Sequence, residues 1–298
     1  MQYHNPVLLK ESVDGLNIKE DGVYVDVTFG GGGHSREILS RLGPKGKLFG
    51  FDQDKDALQN TFEDPRFTLI HENFKFIKRF LRFYGIKKVD GILGDFGVSS
   101  HQFNEAERGF STRFDARLDM RMNQGSKLSA YEVINEYGED QLKKLFYEYA
   151  DLKNAPKLAR LIVDARKEKP IESSEQLNDL LKPHLFKGKE NKILAQIYQA
   201  IRIEVNQEIE VLKDFLKQTE ELVVKNGRIS LISYHSLEDR LVKRYIRSGL
   251  FEGEPEKDFY GNISVPFKKV GGLIVPSAEE IKENNRARSA KLRVAKKL

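Results

Sequence analysis

The hydrophobic residues of the first hundred positions form short apolar runs that alternate with amphipathic segments. Each run has the length of a strand, and the segment after it has the spacing of a helix. Repeated units of this kind build a parallel sheet that helices cover on both faces. The predicted strands are 23–27, 47–51, 67–70 and 89–93, and the predicted helices are 35–42, one that starts at Asp54, and 74–84.

The pattern changes at about Gln102. A charged loop, EAERGFSTRFDARLDMRMN, leads into segments rich in Lys, Glu and Leu that show no strand pattern before about Arg202. Strands and helices then alternate again, with a helix at 206–224, a strand at 228–233, a helix at 237–248 and a half-buried last strand at 291–294. We therefore predict a discontinuous α/β domain, residues 1–103 and 206–298, with an inserted all-helical domain, residues 104–205, that recognises the substrate.

Composition restricts the class of protein. Hydrophobic residues make up 39% and charged residues 32% of the 298 positions, and no apolar run approaches the roughly 18 residues of a membrane span. The first residues lack the basic start and apolar core of a signal peptide, so we expect a cytoplasmic protein with no membrane partner. Cysteine is absent, which excludes disulfides, thiolate metal clusters and cysteine nucleophiles.

Positive charge is concentrated near the C-terminus. The whole chain carries a net charge of +5, but residues 241–298 alone contain 13 Lys and Arg against 7 Asp and Glu. A basic surface at one end is typical of proteins that bind nucleic acid. Charge alone is equally compatible with a solvated tail, and both interpretations stay open.

A glycine run, Gly30 to Gly33, lies between the first predicted strand and the helix after it, within DVTFGGGGH. Glycine permits a tight turn and a close approach to a ligand, and the helix start offers free amide groups. Asp52 ends the next strand about 20 residues later, where a carboxylate can accept hydrogen bonds from ribose hydroxyls. The glycines alone are compatible with a structural turn, but together with Asp52 they predict a site for a nucleoside-containing ligand.

Two details favour S-adenosylmethionine over a dinucleotide. The spacing departs from GxGxxG, because Gly30 and Gly32 are followed by Ser35 rather than by a third glycine in the helix. Asp26, just before the turn, would repel a pyrophosphate but attract the ammonium group of a methionine moiety. The run therefore predicts a methyltransferase rather than a dehydrogenase.

Two further segments follow predicted strands. GILGDFGVSSHQF places Asp95 at the sheet edge where ligands bind. This carboxylate could hold the cofactor's adenine side, accept a hydrogen bond from a substrate amine, or only cap the next turn. SYHSLEDR places His235 after the later strand, as a catalytic candidate or as a structural residue. The six histidines are scattered, so we predict no metal site.

With these segments in place, the chain closely resembles the MraW family, the bacterial small-subunit ribosomal RNA (cytosine-N4)-methyltransferases. The resemblance runs nearly end to end. It rests on HNPVLLKE at 4–11, DVTFGGGGHS from Asp26, DFGVSSHQF from Asp95, AERGFS at 106–111, LDMRM at 118–122, AIRIEVNQE at 200–208, SYHSLEDR from Ser233 and RARSAKLRVA at 286–295. Three positions depart from the commoner pattern of Leu, Pro and Leu, namely Phe96, His101 and Phe103.

The resemblance implies a class I S-adenosylmethionine-dependent methyltransferase, with a Rossmann-like, mostly parallel sheet and an inserted helical domain. It also implies methyl transfer to the exocyclic N4 amine of a specific cytidine in the decoding region of small-subunit ribosomal RNA. The partner would be that RNA or the small ribosomal subunit. The implied cofactor contacts, which add to Gly30 of the run, are Gly32, Gly33, His34, Asp52, Phe74, Asp95 and Gln102. Phe74 is equally compatible with a place in the core.

The missing cysteine bears on the reaction. Methylation of a pyrimidine carbon usually requires a cysteine adduct, so its absence favours a nitrogen target. An exocyclic amine must be oriented and its hydrogens accepted; Asp95 or its neighbouring carbonyls are our first candidates, and His235 is the second. The predicted substrate-side residues, which are cationic or aromatic, are Arg108, Phe110, Arg113, Arg117, Arg121, Arg286, Arg288, Lys291 and Arg293. The last four are also compatible with a solvated strand face.

Two other functions remain open. One is a methyltransferase for a small molecule or a protein, against which the basic C-terminal segment argues. The other is a non-catalytic RNA-binding or assembly factor, against which the glycine run and Asp52 argue. The sequence leaves open whether the protein forms a homodimer.

Overall fold

The computed structural model of the protein describes residues 6–261 and 263–298. His4 and Asn5, which begin the first family string, lie outside the described residues. The chain forms two compact units: unit 1 comprises the residues up to 97 together with 209–298, and unit 2 comprises 98–208. These boundaries lie a few residues from the predicted domain boundaries.

Unit 1 is built on one sheet. Its strands are β1 (Val23–Asp26), β2 (Lys47–Asp52), β3 (Phe67–His71), β4 (Val89–Asp95), β5 (Val223–Ser233), β6 (Phe267–Ile274) and β7 (Lys291–Lys297). The strand order is β3-β2-β1-β4-β5-β7-β6. Strands β1 to β5 run parallel, whereas β7 is antiparallel to both of its neighbours. The predicted α/β fold with a Rossmann-like, mostly parallel sheet is confirmed.

Helices account for most of the remaining regular structure. In chain order they are α1 (Leu9–Leu16), α2 (Gly33–Ser40), α3 (Ile77–Phe83), α4 (Ser100–Asn104), α5 (Ala130–Glu136), α6 (Glu139–Ala150), α7 (Ala155–Glu168), α8 (Ser174–Leu181), α9 (Glu190–Asn206), α10 (Glu208–Leu222), α11 (Ser236–Ser248) and α12 (Ala278–Glu283). Among the described helices, none combines the length and the apolar character that a membrane crossing requires.

Alternate residues of the central strands bury the two faces of the sheet. Val25 and Ile92 pack in one apolar cluster with residues of α3, α10 and α11. Tyr24 and Leu93 pack in another with residues of α1 and α2. Because neighbouring side chains of a strand point to opposite faces, helices cover both sides, and ligand access is left to the strand ends.

Local capping explains where the helices differ from prediction. The helix expected from Asp54 is a 3-10 turn, Lys55–Asn60, in which the Asp54 side chain accepts a hydrogen bond from the amide of Asp56. The helix expected at 74–84 starts as a 3-10 turn, Phe74–Phe76, before α3 begins. The sequence does not predict β6, since most of its residues are exposed and no apolar alternation marks it.

Unit 2 has an apolar core of its own. Leu142, Phe146, Leu158 and Ile197, from three of its helices, are fully buried there. Its described residues contain helices and one isolated bridge, between Arg117 and Ser173.

Candidate active site

Three carboxylates lie at the carboxyl edge of the parallel strands. Asp52, Asp26 and Asp95 are the last residues of β2, β1 and β4, which are adjacent in the sheet. Ligands of open parallel sheets bind at this edge. The strand order therefore brings three residues, which are up to 69 positions apart in the sequence, together in a single acidic group.

The glycine run forms the turn that follows β1. Gly30 and Gly32 have φ of 50° and 74°, in the left-handed region that favours glycine. The turn is fixed at both sides, because the Gly30 amide donates to Asp52 Oδ2 at 2.8 Å and the Gly30 carbonyl accepts from Asn60 Nδ2 at 2.9 Å. A Cβ on Gly33 would lie 2.1 Å from Pro6 Cγ. A side chain at Gly33 would therefore push away the segment that covers the start of α2.

Asp26 is a structural residue of this turn. Its carboxylate is fully buried and accepts hydrogen bonds from Ser35 Oγ at 2.7 Å and from the Thr28 amide at 3.1 Å. Burial raises the pKa of Asp26 to about 6, although those hydrogen bonds oppose the rise. The expected attraction of a ligand ammonium by Asp26 is thus limited to its electric field, because its side chain does not reach the surface.

Asp52 is half-buried, and backbone amides orient it. The Asp54 amide donates to Oδ1 at 2.8 Å, and Gly30 occupies one position on Oδ2. A carboxylate has about four acceptor positions, so a pair of hydroxyls can still be bound. Burial raises the pKa of Asp52 to about 6, the two amides lower it, and the nearby charges of Asp54 and Asp26 raise it.

Asp95 is held from two sides. Its amide donates to Thr28 Oγ1 at 2.6 Å, and Tyr234 OH donates to its Oδ1 at 2.8 Å. Burial raises the pKa of Asp95 to about 6, while the charge of His34 and the Tyr234 hydrogen bond oppose the rise. A carboxylate with this pKa is mostly ionised at pH 7. Its pKa is close enough to 7 for the carboxylate to take up a proton during a reaction.

His34 and Phe74 also lie in unit 1. His34 is buried, with Nε2 at 3.1 Å from the Val7 carbonyl oxygen. Burial lowers its pKa, although the charge of Asp95 and the Val7 contact oppose this. Phe74 is half-buried, with its ring centroid 5.8 Å from that of Phe96 and 5.3 Å from that of Phe215. Phe74 therefore packs against the core and is partly exposed.

Gln102 belongs to unit 2, where it is buried. The Oε1 of Gln102 accepts a hydrogen bond from the backbone amide of Ser99 at 3.0 Å, and the backbone amide of Gln102 donates to Ser99 Oγ at 3.1 Å. This reciprocal capping fixes the start of α4. The contact between Gln102 and a cofactor stays a prediction.

The geometry of His235 favours the structural alternative. It is the buried N-cap of α11, and its Nδ1 accepts from the Glu238 amide at 3.4 Å. Its Nε2 lies 3.1 Å from Glu238 Oε1, and both side chains are nearly inaccessible to solvent. A histidine engaged by a helix cap and a buried carboxylate is poorly placed to receive a substrate proton.

Among the predicted substrate-side residues of unit 2, Arg108 and Phe110 are buried rather than exposed. Arg108 is 6% exposed and its guanidinium donates to the carbonyls of Arg121 and Met122, at 3.0 and 3.2 Å. Phe110 is 5% exposed and belongs to the core of unit 2. Buried side chains of this kind support the loop and do not face a ligand in this conformation.

The other predicted cations of unit 2 are more accessible. Arg121 is ion-paired with Asp119 at 2.6 Å, and its Nη1 also donates to the Ser126 carbonyl. Arg113 and Arg117 are exposed, and Arg117 lies over the ring of Tyr131. Arg113 and Arg117 are therefore the accessible candidates of this loop.

The predicted substrate-side residues near the C-terminus also differ in their exposure to solvent. Arg293 and Lys291 lie 2.7 and 3.4 Å from the carboxylate of Asp239. Burial alone would raise the pKa of Asp239, but the Arg293 hydrogen bond and both positive charges hold it below its usual range. The direct substrate contact of Arg293 stays a prediction; in this conformation its side chain is 18% exposed and bound to Asp239. Arg286 and Arg288 are exposed.

Tyr234 is the site residue that sequence reasoning missed. It follows β5 directly, and β5 lies beside β4, so its position at the same sheet edge follows from the strand order. Burial and the neighbouring negative charge of Asp95 raise its pKa well above the usual range, and it remains a hydrogen-bond donor at neutral pH.

Comparison with known proteins extends over the whole chain. The model of the MraW methylase family matches residues 1–298. Relatives named ribosomal RNA small subunit methyltransferase H are 84% identical in Christiangramia forsetii and 68% identical in Flavobacterium johnsoniae, each over 100% of this chain and 99% of the relative. Among solved structures, an rRNA methylase from Streptococcus thermophilus is similar with a TM-score of 0.43 and 12% identity, over 100% of this chain and 99% of that chain.

Proposed function

The chain belongs to the MraW methylase family, and from this premise we propose that it methylates the exocyclic N4 amine of a specific cytidine in the decoding region of small-subunit ribosomal RNA. The methyl donor is S-adenosylmethionine. The shared name of the relatives supports the ribosomal RNA substrate. The observation that carries the proposal at the level of residues is the placement of Asp52 and Asp95 on the two sides of β1, next to the glycine turn.

The acidic edge suits the charge of this cofactor. S-adenosylmethionine carries an ammonium and a sulfonium against one carboxylate, so its net charge is positive, whereas a dinucleotide carries a negative pyrophosphate. Asp26, Asp52 and Asp95 create a negative field that favours the first and disfavours the second. Gly30, Gly32 and Gly33 would admit the cofactor's backbone contacts, and Asp52 would hold the ribose hydroxyls.

When bound, the cofactor supplies an electrophilic methyl group, and the amine that accepts it must lose one proton. Asp95 would accept a hydrogen bond from the amine and so orient the nitrogen lone pair towards the methyl group. Its ionised carboxylate then takes the proton. Tyr234 keeps one carboxylate oxygen in place through the 2.8 Å hydrogen bond and leaves the other for the substrate.

Unit 2 would recognise the RNA, with exposed Arg113 and Arg117 as its first candidates for backbone contacts. The substrate would be the small-subunit ribosomal RNA or the small ribosomal subunit that contains it. This substrate would place the enzyme in the cytoplasm. A homodimer would be visible as a doubled mass in light scattering of the purified protein.

The function is tested by incubating the purified protein with S-adenosylmethionine labelled in its methyl group. Three acceptors are offered separately: naked ribosomal RNA, assembled small subunits and total protein extract. We expect label in small-subunit RNA, recovered after nucleoside digestion on the N4 nitrogen of cytidine. Label in protein, on a pyrimidine carbon, or in none of the acceptors despite measurable cofactor binding would contradict the proposal.

A variant at Tyr234 tests how Asp95 is tuned. Tyr234→Phe removes a hydrogen bond that lowers the pKa of Asp95, so this pKa should rise further above about 6. Because the base must be ionised, activity is lost as pH falls through its pKa, and the acid limb of the pH–rate profile should move to higher pH. Activity on the alkaline plateau should change much less.

The matched control is Tyr245→Phe, which removes another buried hydroxyl, located 3.5 Å from Glu220. Its acid limb should coincide with that of the unaltered enzyme. An acid limb that does not move in Tyr234→Phe would show that Asp95 is not the titrating base.

A further inference from the structure

Apart from Phe74, one basic and aromatic segment of unit 1 has no part in the site described above. Between Glu72 and Asp90 the sequence has six Lys and Arg, no Asp or Glu, and five aromatic residues. It forms the end of the turn after β3, helix α3 and the loop that leads into β4. Such interleaving of cations and aromatic rings is typical of surfaces that bind single-stranded nucleic acid.

In the fold, this segment forms one wall of a groove, and α10 forms the other. The charged side chains that line the groove are Lys75, Lys78, Arg79, Arg82 and Lys217, with Asp214 as the single acid among its lining residues. Lys78 is ion-paired with Glu221. No described carboxylate forms an ion pair with the exposed Arg79 and Arg82. The groove therefore keeps a net positive charge towards solvent.

The two walls are fastened to each other. Gln218 of α10 donates through Nε2 to the Lys75 carbonyl at 2.7 Å, and its Oε1 accepts from the Lys78 amide at 3.2 Å. These bonds hold the backbone of this segment beside α10, which carries Lys217. Several cations along one groove suit a backbone with repeated charges better than a single small anion.

Aromatic rings are exposed in the groove and further along the same segment. Phe76 lines the groove at 38% exposure, with Lys75 Nζ 5.0 Å from its ring centroid. Phe83, near the end of α3, is 81% exposed, and Tyr84 is 44% exposed. Rings in this setting offer faces on which unpaired bases can stack.

One end of the groove, at Lys75, lies next to a predicted cofactor contact. Lys75 is the neighbour of Phe74, at the carboxyl edge of the sheet where the acidic site lies. An RNA that enters this edge carries phosphates beyond the target nucleotide. The α3 wall lies next along the chain from the predicted cofactor contact.

We propose that the groove between α3 and α10 binds the backbone of the ribosomal RNA substrate outside the methylation site. This inference rests on the proposed function for the identity of the polyanion. The groove is a binding surface and takes no part in the chemistry. Its loss should therefore affect RNA affinity and KM, and leave kcat at saturating RNA unchanged.

The test is the double variant Arg79→Glu/Arg82→Glu, which reverses two exposed charges. The control is Lys45→Glu/Lys47→Glu, which makes the same change of charge at exposed residues beside the amino end of β2, the opposite edge of the sheet. Affinity for a small-subunit RNA transcript is measured by fluorescence anisotropy at several salt concentrations. Methylation kinetics and cofactor affinity are measured on the same preparations.

We expect the groove variant to bind RNA at least about tenfold more weakly than the control. The slope of log affinity against log salt should fall in magnitude by about 1.4, since each phosphate contact with a single strand contributes about 0.7. KM for RNA should rise with kcat and cofactor affinity unchanged. Equal RNA affinity in the two variants, or a fall in kcat at saturating RNA with unchanged binding, would overturn the proposal.

The two levels of inference fail separately. One outcome is that the unaltered protein binds the transcript, the groove variant loses this binding, and no RNA is methylated by either. That outcome would support the groove proposal and contradict the proposed function. If methylation proceeds and the groove variant behaves like the control, only the groove proposal fails. An unaltered protein that binds no RNA would overturn the groove as well.

Discussion

Replacing Asp95 with asparagine is expected to lower kcat by about two orders of magnitude, the lower end of what a positioned general base contributes. Asparagine retains an oxygen that can accept the Tyr234 hydrogen bond but cannot take a proton from the amine. The loss of charge also removes the attraction that orients the amine hydrogens. The acid limb governed by the pKa of about 6 should disappear from the remaining activity.

The measurement is single-turnover methyl transfer to small-subunit RNA, combined with calorimetry of cofactor binding. Asp90→Asn is the matched control, because Asp90 lies near the opposite end of β4 and is ion-paired with the exposed Lys19 at 2.8 Å. A pair of this kind contributes about 1 kcal/mol or less to stability, so activity should be nearly normal. An Asp95→Asn enzyme within threefold of the unaltered rate would remove Asp95 from the chemistry.

The sheet edge was predictable because its signals are local. Strands β1, β2 and β4 are short, mostly buried runs, and the residue type at the end of each is visible in the sequence, as for Asp52 and Asp95. Parallel strands joined by helices place their carboxyl ends at one edge. The position of the site therefore follows from periodicity and from the order of the elements.

What could not be predicted depends on contacts between distant residues. Asp26 and Asp52 occupy equivalent strand ends, but Ser35 and Thr28 bury the first, whereas the second stays partly open. Arg108 and Phe110 lie in a loop without periodicity, so nothing in the local pattern shows that they turn inward.

The antiparallel pairing of strands also depends on contacts between distant residues. Strand β6 is recognisable only from its partner β7, because five of its eight residues are exposed. The hydrogen bond between Tyr234 and Asp95 joins residues 139 positions apart. Their proximity could have been inferred once β5 was placed beside β4, but a hydrogen bond also requires a side-chain geometry that strand order does not give.

Asp52→Ala should weaken the affinity for S-adenosylmethionine by at least about 100-fold and leave the fold intact. Hydrogen bonds to a charged group contribute about 1.5–3 kcal/mol each, and Asp52 would accept two from the ribose. In the unaltered protein the Gly30 amide donates to Asp52 Oδ2 at 2.8 Å. The variant loses this hydrogen bond, which loosens the glycine turn that faces the ligand.

Asp52→Asn separates these two contributions. Its amide oxygen can still accept from the Gly30 amide, so the turn should be kept while the charge is lost, and we expect an affinity between those of Asp52→Ala and the unaltered protein. Stability should change little in both variants, because burial already raises the pKa of Asp52 to about 6 and its charge is not favoured by the fold. Calorimetric titration and thermal unfolding at pH 7.5 measure the two quantities together. Unchanged cofactor affinity in Asp52→Ala would refute the ribose contact, and equal affinities in the two variants would show that the charge, rather than the turn, determines binding.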